Sequence, residues 1–443
     1  YLSAPMFAEI SLGGKDNNGL TIDHVVYVIR MVSLALLVVP IMSLVRGFFQ
    51  GHQMMGPTAV SQVVEQIVRI IFLLSATFLI LKVFNGGLVI AVGYATFAAL
   101  IGAFGGLVVL YIYWNKRKGS LLAMMPNTGP TANLSYKKMF FELFSYAAPY
   151  VFVGLAIPLY NYIDTNTFNK AMIEAGHQAI SQDMMAILTL YVQKLVMIPV
   201  SLATAFGLTL IPTITESFTS RNYKLLNQQI NQSMQTILFL IIPAVVGISV
   251  LAGPVYTFFY GSESLHPELG KDILFWYSPV AILFSLFTVN AAILQGINKQ
   301  KFAVASLVIG VVIKLVLNVP LIKLMQADGA ILATALGYTA SLIYGFIMIK
   351  RHAGYSYKIL VKRGVLMLLL SAVMAIAVKI VQWVLSFFIS YEDGQLHAAI
   401  VVLIAAVVGG AVYLYCAYRL GFLQKIFGRR LPGFLKKGRH AAD

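Results

Sequence analysis

The sequence predicts an all-α polytopic membrane protein, and three observations carry that prediction. Hydrophobic residues make up 59% of the 443-residue chain and charged residues only 11%, against about 45–50% and about 25% in a soluble globular domain. Mean hydropathy is +0.83, and apolar runs long enough to cross about 30 Å of hydrocarbon recur from end to end. These runs are continuous rather than alternating strands of about ten residues, which excludes a transmembrane barrel.

Eleven spans are expected, taken in order. The first three cover 24–50, 60–84 and 87–114, and the turn sequence Asn85-Gly86-Gly87 divides the second from the third. The basic run Lys116-Arg117-Lys118 follows this group. Next come 140–163, 184–214 and 232–260, the last stopped at Tyr260-Gly261. Spans 272–295, 302–324 and 328–350 follow, with Asp328-Gly329 between the final two. A closing pair covers 361–389 and 395–420.

The net charge of +16 acquires meaning only when it is placed on this topology. With the first span running inward, 22 of the 32 Lys and Arg residues fall on inner segments and five on outer ones. Twelve of the 16 acids fall outside, Asp164 among them. The bias sets a cytoplasmic C-terminus. The basic tail from Lys425 to Arg439, interleaved with Phe427, Leu431 and Phe434, suits an anionic inner leaflet rather than nucleic acid. Cys416 is the single cysteine, so no intrachain disulfide forms, and it reads as a small hydrophobe.

An internal repeat organises the chain. Residues 50–73 resemble 295–318 at a constant offset of 245, placing Gln50-Gly51 on Gln295-Gly296, Ser61 on Ser306 and Arg69 on Lys314. GLVIAVGY (87–94) resembles GAILATALGY (329–338), and Leu2-Ser3-Ala4-Pro5 matches Leu251-Ala252-Gly253-Pro254. Matched elements share an orientation, so the repeat is parallel, about an axis along the membrane normal. The second copy begins near residue 140. That offset puts the start of the first copy on the order of 105 residues before Tyr1. The expected domains are the remainder of an N-terminal bundle (1–115), a cytoplasmic linker (116–139), a C-terminal bundle (140–350), an extra helix pair (351–424) and the basic tail (425–443). Completed, the molecule would have six plus six spans and the extra pair, fourteen in all.

Three segments carry a family resemblance: RGFFQGHQMMGPTAVSQVVEQ (46–66), SYAAPYVFVGLAIPLYNYIDTNTF (145–168) and PVSLATAFGLTLIPTITES (199–217). They resemble the polysaccharide-transporter branch of the multidrug/oligosaccharidyl-lipid/polysaccharide (MATE/MOP) exporter superfamily. Within it they are most similar to the Gram-positive lipid II flippases and the stage V sporulation protein B group. The resemblance covers essentially the whole chain. It implies a two-bundle flippase that carries an undecaprenyl-pyrophosphate-linked sugar across the bacterial cytoplasmic membrane, with membrane lipids and cell-wall synthesis machinery as partners. The chain departs from that pattern in lacking the first two and a half spans, which in such flippases supply cationic cavity residues.

Six ionisable residues fall inside spans: Arg30, Glu65, Arg69, Lys194, Lys314 and Lys379. Each costs at least about 2.5–3.5 kcal/mol at the bilayer centre, so each is a functional candidate. Arg30 and Lys379 lie near the outer edge, within snorkelling reach of the headgroups. Arg69, Lys194 and Lys314 lie roughly 13, 15 and 18 Å into their spans at 1.5 Å per residue. They are expected either to line a hydrated cavity or to form structural ion pairs. In a cavity, matched cations Arg69 and Lys314 would suit a pyrophosphate, whose oxygens accept several charge-assisted hydrogen bonds. Glu65 precedes Arg69 by four residues on one helix face. It is either a pairing partner that eases insertion or a gate that an anionic headgroup would open. The polar group Asn161, Asp164 and Asn166 is expected at an outer mouth, meeting sugar hydroxyls, or in an interfacial belt with a helix cap.

Pro149, Pro158, Pro199, Pro212, Pro243, Pro279 and Pro320 fall in or near spans and are expected to kink helices. No His, Cys or carboxylate set has metal-ligand spacing, no P-loop is present, and no hydrolytic triad or paired-carboxylate pattern occurs. No metal or cofactor and no enzymatic activity are expected. The function expected is alternating-access flipping of a lipid-linked cell-wall precursor, whose pyrophosphate meets Arg69, Lys194 and Lys314. A cation-coupled drug or solute antiporter would instead need a deep acid, and Glu65 is the one the spans supply. A membrane-embedded surface-sugar polymerase or ligase would need acids or histidines grouped in a large outer loop.

Overall fold

The computed structural model describes residues 1–12, 21–52, 54–123 and 135–422; the basic tail lies outside the described residues. The chain is an all-helical polytopic membrane protein, with no strand among the described residues. It divides into two compact units, Tyr1–Asn133 and Leu134–Asp443.

The first unit holds α1 (Ala4–Leu12), α2 (Ile22–Ser33), α3 (Ala35–Gly51), α4 (Met55–Phe78) and α5 (Leu88–Ala123). Helices α2 and α3 meet at Leu34 and together make one 30-residue crossing. Thr21 starts α2 with a capping box: its hydroxyl accepts from the His24 N–H, and the His24 ring accepts from the Thr21 N–H. A five-residue π-helical segment, Leu79–Val83, ends α4.

Glycines let α5 lie against α3 and α4. A Cβ on Gly102 would stand 2.8 Å from the Glu65 carbonyl oxygen, and one on Gly106 would stand 2.8 Å from Met42 Sδ. With three residues between them and one face in common, Gly102 and Gly106 are the small-residue spacing by which membrane helices approach without a hydrophobic drive.

The second unit holds α6 (Tyr136–Gly154), α7 (Ala156–Glu174), α8 (Gln178–Ala186), α9 (Gln193–Thr219), α10 (Tyr223–Val250), α11 (Ala252–Tyr260), α12 (Pro267–Tyr277), α13 (Val280–Gly296), α14 (Gln300–Ala353), α15 (Lys358–Ser386) and α16 (Gln395–Arg419). Between α8 and α9 runs a six-residue π-helical segment, Ile187–Val192, which makes 178–219 one continuous rod. Prolines explain three breaks. Pro158, Pro254 and Pro279 have no N–H to give to the carbonyl four residues earlier, and the helices part at Leu155, at Leu251 and after Tyr277. The bend is 48° between α6 and α7 and 42° between α12 and α13. Pro199, Pro212, Pro243 and Pro320 lie inside helices that continue past them.

Among the described residues, eight helices are long and apolar enough to cross a membrane, or ten when each bent pair counts as one span. This tally differs from the expected eleven at one place. Spans 302–324 and 328–350 both lie in α14, a 54-residue helix with a non-helical residue inside it, Gln326 (φ 56°, ψ −125°). The chain folds back there. The Ser341 hydroxyl donates to the Ser306 carbonyl at 2.7 Å, across a separation that a straight helix would stretch to about 50 Å. A Cβ on Gly329 would stand 2.0 Å from the Leu321 carbonyl oxygen, which is why this turn takes glycine. Arms 300–325 and 327–353 therefore pack as an antiparallel pair, with Gly310 close against Gly337.

Gly310 tests this packing. A Cβ there would meet Ser341 Oγ at 2.1 Å and the Gly337 carbonyl at 2.7 Å, whereas one on Gly364 of α15 meets nothing within 4 Å. Gly310→Ala is expected to destabilise the purified protein by about 1–3 kcal/mol, read as a lowered melting temperature in detergent. Gly364→Ala is expected to leave it unchanged or raise it, by up to about 1 kcal/mol of helix propensity.

Candidate functional site

The deepest charges in the second unit are paired with each other. On the first arm of α14, residues Ser306, Gly310, Lys314 and Asn318 recur at every fourth position and so share one helix face, and three of the four are buried polar residues. Lys314 is 0% exposed. Its ammonium donates to Asp164 Oδ2 at 2.8 Å and to the Thr334 hydroxyl on the second arm, and it lies 5.4 Å from the centre of the Tyr160 ring. The amide of Asn318 donates to Asp164 Oδ1 at 3.0 Å and to the Thr167 hydroxyl at 2.8 Å. Both oxygens of the carboxylate are thus satisfied by one helix, and the cation by two. Of the two expectations for Lys314, the ion pair is what the structure forms.

Asp164 stands elsewhere than expected. It neither ends a span nor caps a helix, because α7 runs on to Glu174, ten residues further. It is 6% exposed, on the face of α7 that also carries buried Tyr160 and Phe168 at intervals of four. The polar group read at an outer mouth therefore separates. Asp164 turns inward to Lys314, Asn161 Oδ1 accepts from Gln193 Nε2 on α9 at 2.6 Å, and exposed Asn166 donates to the Tyr162 carbonyl of its own helix. The count of deep acids also changes: Asp164 joins Glu65. The spacing of Tyr160, Asp164 and Phe168 was the available signal, since it puts the acid on an otherwise aromatic face.

In the first unit Glu65 bridges two arginines. Its Oε1 is 2.9 Å from Arg69 Nη2, and its Oε2 is 2.8 Å from Arg46 Nη2. Arg46 also donates to the Ser61 hydroxyl at 2.7 Å, and Ser61 in turn donates to the Gly106 carbonyl at 3.2 Å. The i,i+4 pairing of Glu65 with Arg69 is as the spacing predicts. Arg46, read only as an inner topological charge, is a second partner, and no sequence spacing shows it because the contact crosses from α3 to α4. Two arginines against one carboxylate leave this network with a surplus positive charge. Arg69 carries the accessible part of it: its side chain is 33% exposed, against 12% for Arg46.

Lys194 forms no ion pair among the described residues. It is exposed on α9, two residues after the π-helical segment, in a stripe with the exposed apolar residues Leu190, Ile198 and Leu202. Of the three cations expected to meet an anion, one is therefore neutralised, one is shared and one is unpaired. No cluster of three or more His, Cys, Asp or Glu residues able to hold a metal occurs among the described residues.

Removing one member of the buried pair strands the other in a dry site. Asp164→Asn or Lys314→Met alone is expected to cost about 3–5 kcal/mol. The double variant is expected to lose less than the sum of the two, a coupling that equilibrium unfolding in a double-mutant cycle measures.

Comparison with known proteins places this geometry. The family model described as polysaccharide biosynthesis protein matches residues 1–218, and the model described as MatE matches residues 178–320. The lipid II flippase MurJ of Bacillus subtilis (strain 168) is 94% identical over 441 residues, covering 100% of this chain and 81% of that protein. From the same organism, the uncharacterized membrane protein YabM is 27% identical, over 94% of this chain and 76% of its own length. Stage V sporulation protein B of that organism is 23% identical, over 70% of this chain and 57% of its own length. A solved structure described as lipid II flippase MurJ in an inward closed conformation shares the fold, with a TM-score of 0.57 at 17% identity over 95% of this chain and 79% of that one. By near-identity along its whole length, the chain belongs to the MurJ family, in the polysaccharide-transporter branch of the MATE/MOP exporter superfamily.

Proposed function

We propose that the chain is a transporter that flips lipid II, a lipid-linked cell-wall precursor, across the bacterial cytoplasmic membrane. The observation that carries this reading is its 94% identity to the lipid II flippase MurJ of Bacillus subtilis. The work is translocation by alternating access rather than bond chemistry. The Lys and Arg bias supports a cytoplasmic C-terminus, and passing the flipped precursor to cell-wall synthesis machinery belongs to the same proposal.

The pyrophosphate needs cations that are not already satisfied. Arg69 offers part of a guanidinium, and its Nε has no hydrogen-bond partner. Lys194 offers an exposed ammonium. Lys314 would join them only on release from Asp164, so the cation that each unit has to offer is Arg69 in the first and Lys194 in the second. Glu65 then acts as the gate: an arriving anion competes with it for Arg69 while Arg46 holds the carboxylate in place. For the polyprenyl tail, an apolar cavity of about 290 Å³ lies among α10, α15 and α16, lined by residues such as Gly247, Met374, Val378, Ala405 and Gly410. Its walls suit a hydrocarbon chain kept at the lipid side.

The cation-coupled antiporter reading asks for a deep acid free to take an ion. Glu65 and Asp164 are each held by basic side chains, which weighs against it.

Complementation of a flippase-depleted strain by the gene tests the assignment. Lys194→Ala and Arg69→Ala are expected to lower precursor flipping by about tenfold or more, the loss of one charge-assisted contact, at unchanged protein levels. Lys194→Arg is expected to retain most of it. Normal flipping by both alanine variants and by the Arg69, Lys194 and Lys314 triple variant would remove these residues from the site.

A further inference from the structure

At the junction of α14 and α15 a cavity of about 740 Å³ opens beside the four-residue connection 354–357. Lys350, Lys358 and Lys362 line it together with Ser356, Tyr357 and Val361, and no carboxylate does. None of the three lysines forms an ion pair among the described residues.

Topology alone asks for lysines on this side of the membrane, but not for three converging on one concavity. Lys350, with Arg351 and His352, ends α14 where a helix attracts cations. Lys358 and Lys362 stand at the opposite pole of α15, whose first turn has no acid and where the exposed N–H groups already repel cations. That arrangement is unfavourable until an anion joins it.

The connection is built rather than loose. Gly354 takes φ +65°, the buried Tyr355 donates its hydroxyl to Asn231 Oδ1 at 2.9 Å, and the Tyr357 hydroxyl donates to the Phe346 carbonyl at 3.1 Å. Arg363 donates to Gln235 Oε1, whose amide donates to Asn231 at 2.6 Å. A neutral amide therefore occupies the guanidinium, which brings no negative charge to the cavity. Beside the lysines, Ile359, Val361 and Val365 are each more than half exposed, at 53%, 62% and 52%. An anionic head over three ammonium groups and a hydrocarbon chain along these side chains describe one amphipathic ligand.

We propose that this cavity binds the phosphate of an anionic membrane phospholipid, with an acyl chain lying against Val361 and Val365. The site is independent of the transport reading and uses none of its residues. Basic pockets between spans at the cytoplasmic face are a recurrent setting for such headgroups.

Native mass spectrometry of the detergent-purified protein with phosphatidylglycerol or phosphatidylcholine tests it. Phosphatidylglycerol adducts are expected to exceed phosphatidylcholine adducts by about tenfold, and K350Q/K358Q/K362Q to remove most of that excess. The same positions changed to Arg are expected to keep it, and so is the variant K224Q/K299Q/K301Q, which loses equal charge elsewhere. A photoactivatable phosphatidylglycerol is expected to label the peptide spanning 350–365, a measurement on the unaltered protein. Equal retention of the two lipids, an undiminished excess in the Gln variant, or labelling confined to other helices would overturn the proposal. Displacement of the lipid by millimolar inorganic phosphate would overturn it too, by assigning the cavity to a soluble anion.

Discussion

A charge buried in hydrocarbon must be neutralised where it stands, and the Lys314–Asp164 pair is where this constraint shapes the second unit. Water cannot reach an ammonium that is 0% exposed, so the counter-charge has to come from another helix, and α7 supplies it. That requirement fixes the rotation of α7, with Asp164 turned inward between Tyr160 and Phe168. It also fixes the register of the two arms of α14, because Lys314 has to reach Thr334 as well as Asp164. Gly310 and Gly337 permit the approach that these bonds demand. Adding a methyl at Gly310 and removing the charge at Lys314 would therefore disturb one and the same contact.

The two units handle matched cations differently. Arg69 and Lys314 share a position in the internal repeat, and each meets a carboxylate four residues before it or on a neighbouring helix. Lys314 is cancelled by one acid of its own. Arg69 shares its acid with Arg46, so the first unit keeps a positive surplus on a side chain that is still a third exposed. A repeat thus conveys where a charge is placed, while its surroundings decide whether that charge is free to act.

Most of the architecture was legible in the sequence because membrane burial writes itself in long apolar runs, and turn residues punctuate them. Asn85-Gly86-Gly87 and Tyr260-Gly261 do end helices, and Pro158 and Pro279 stand at bends. The fold-back of α14 was visible as a turn at Asp328-Gly329, though it occurs at Gln326, with Gly329 serving close approach to Leu321 instead. The site was less legible. Helical spacing shows partners on one helix, as with Glu65 and Arg69, but Arg46 and Asp164 meet their partners across helices. Asp164 was further masked by the exposed polar residues around it, Thr165 and Asn166, which made a mid-helix acid read as the edge of a span.

The π-helical segment Ile187–Val192 has a consequence for sequence change rather than for charge. Such a segment carries one residue more than an α-helical turn needs, and so resets the angular phase of everything after it by about 100°. The exposed stripe of Leu190, Lys194, Ile198 and Leu202 follows a segment that has already absorbed that additional residue. Loss of one residue from 187–192 would close the segment to a regular α-helical turn and leave Lys194 facing as it does. The same loss further along α9, where the turns hold nothing in reserve, would swing everything after it by about 100°. Length is therefore less stringent in this stretch than in the helix that follows. An alignment that scores only residue identity would treat the two deletions alike.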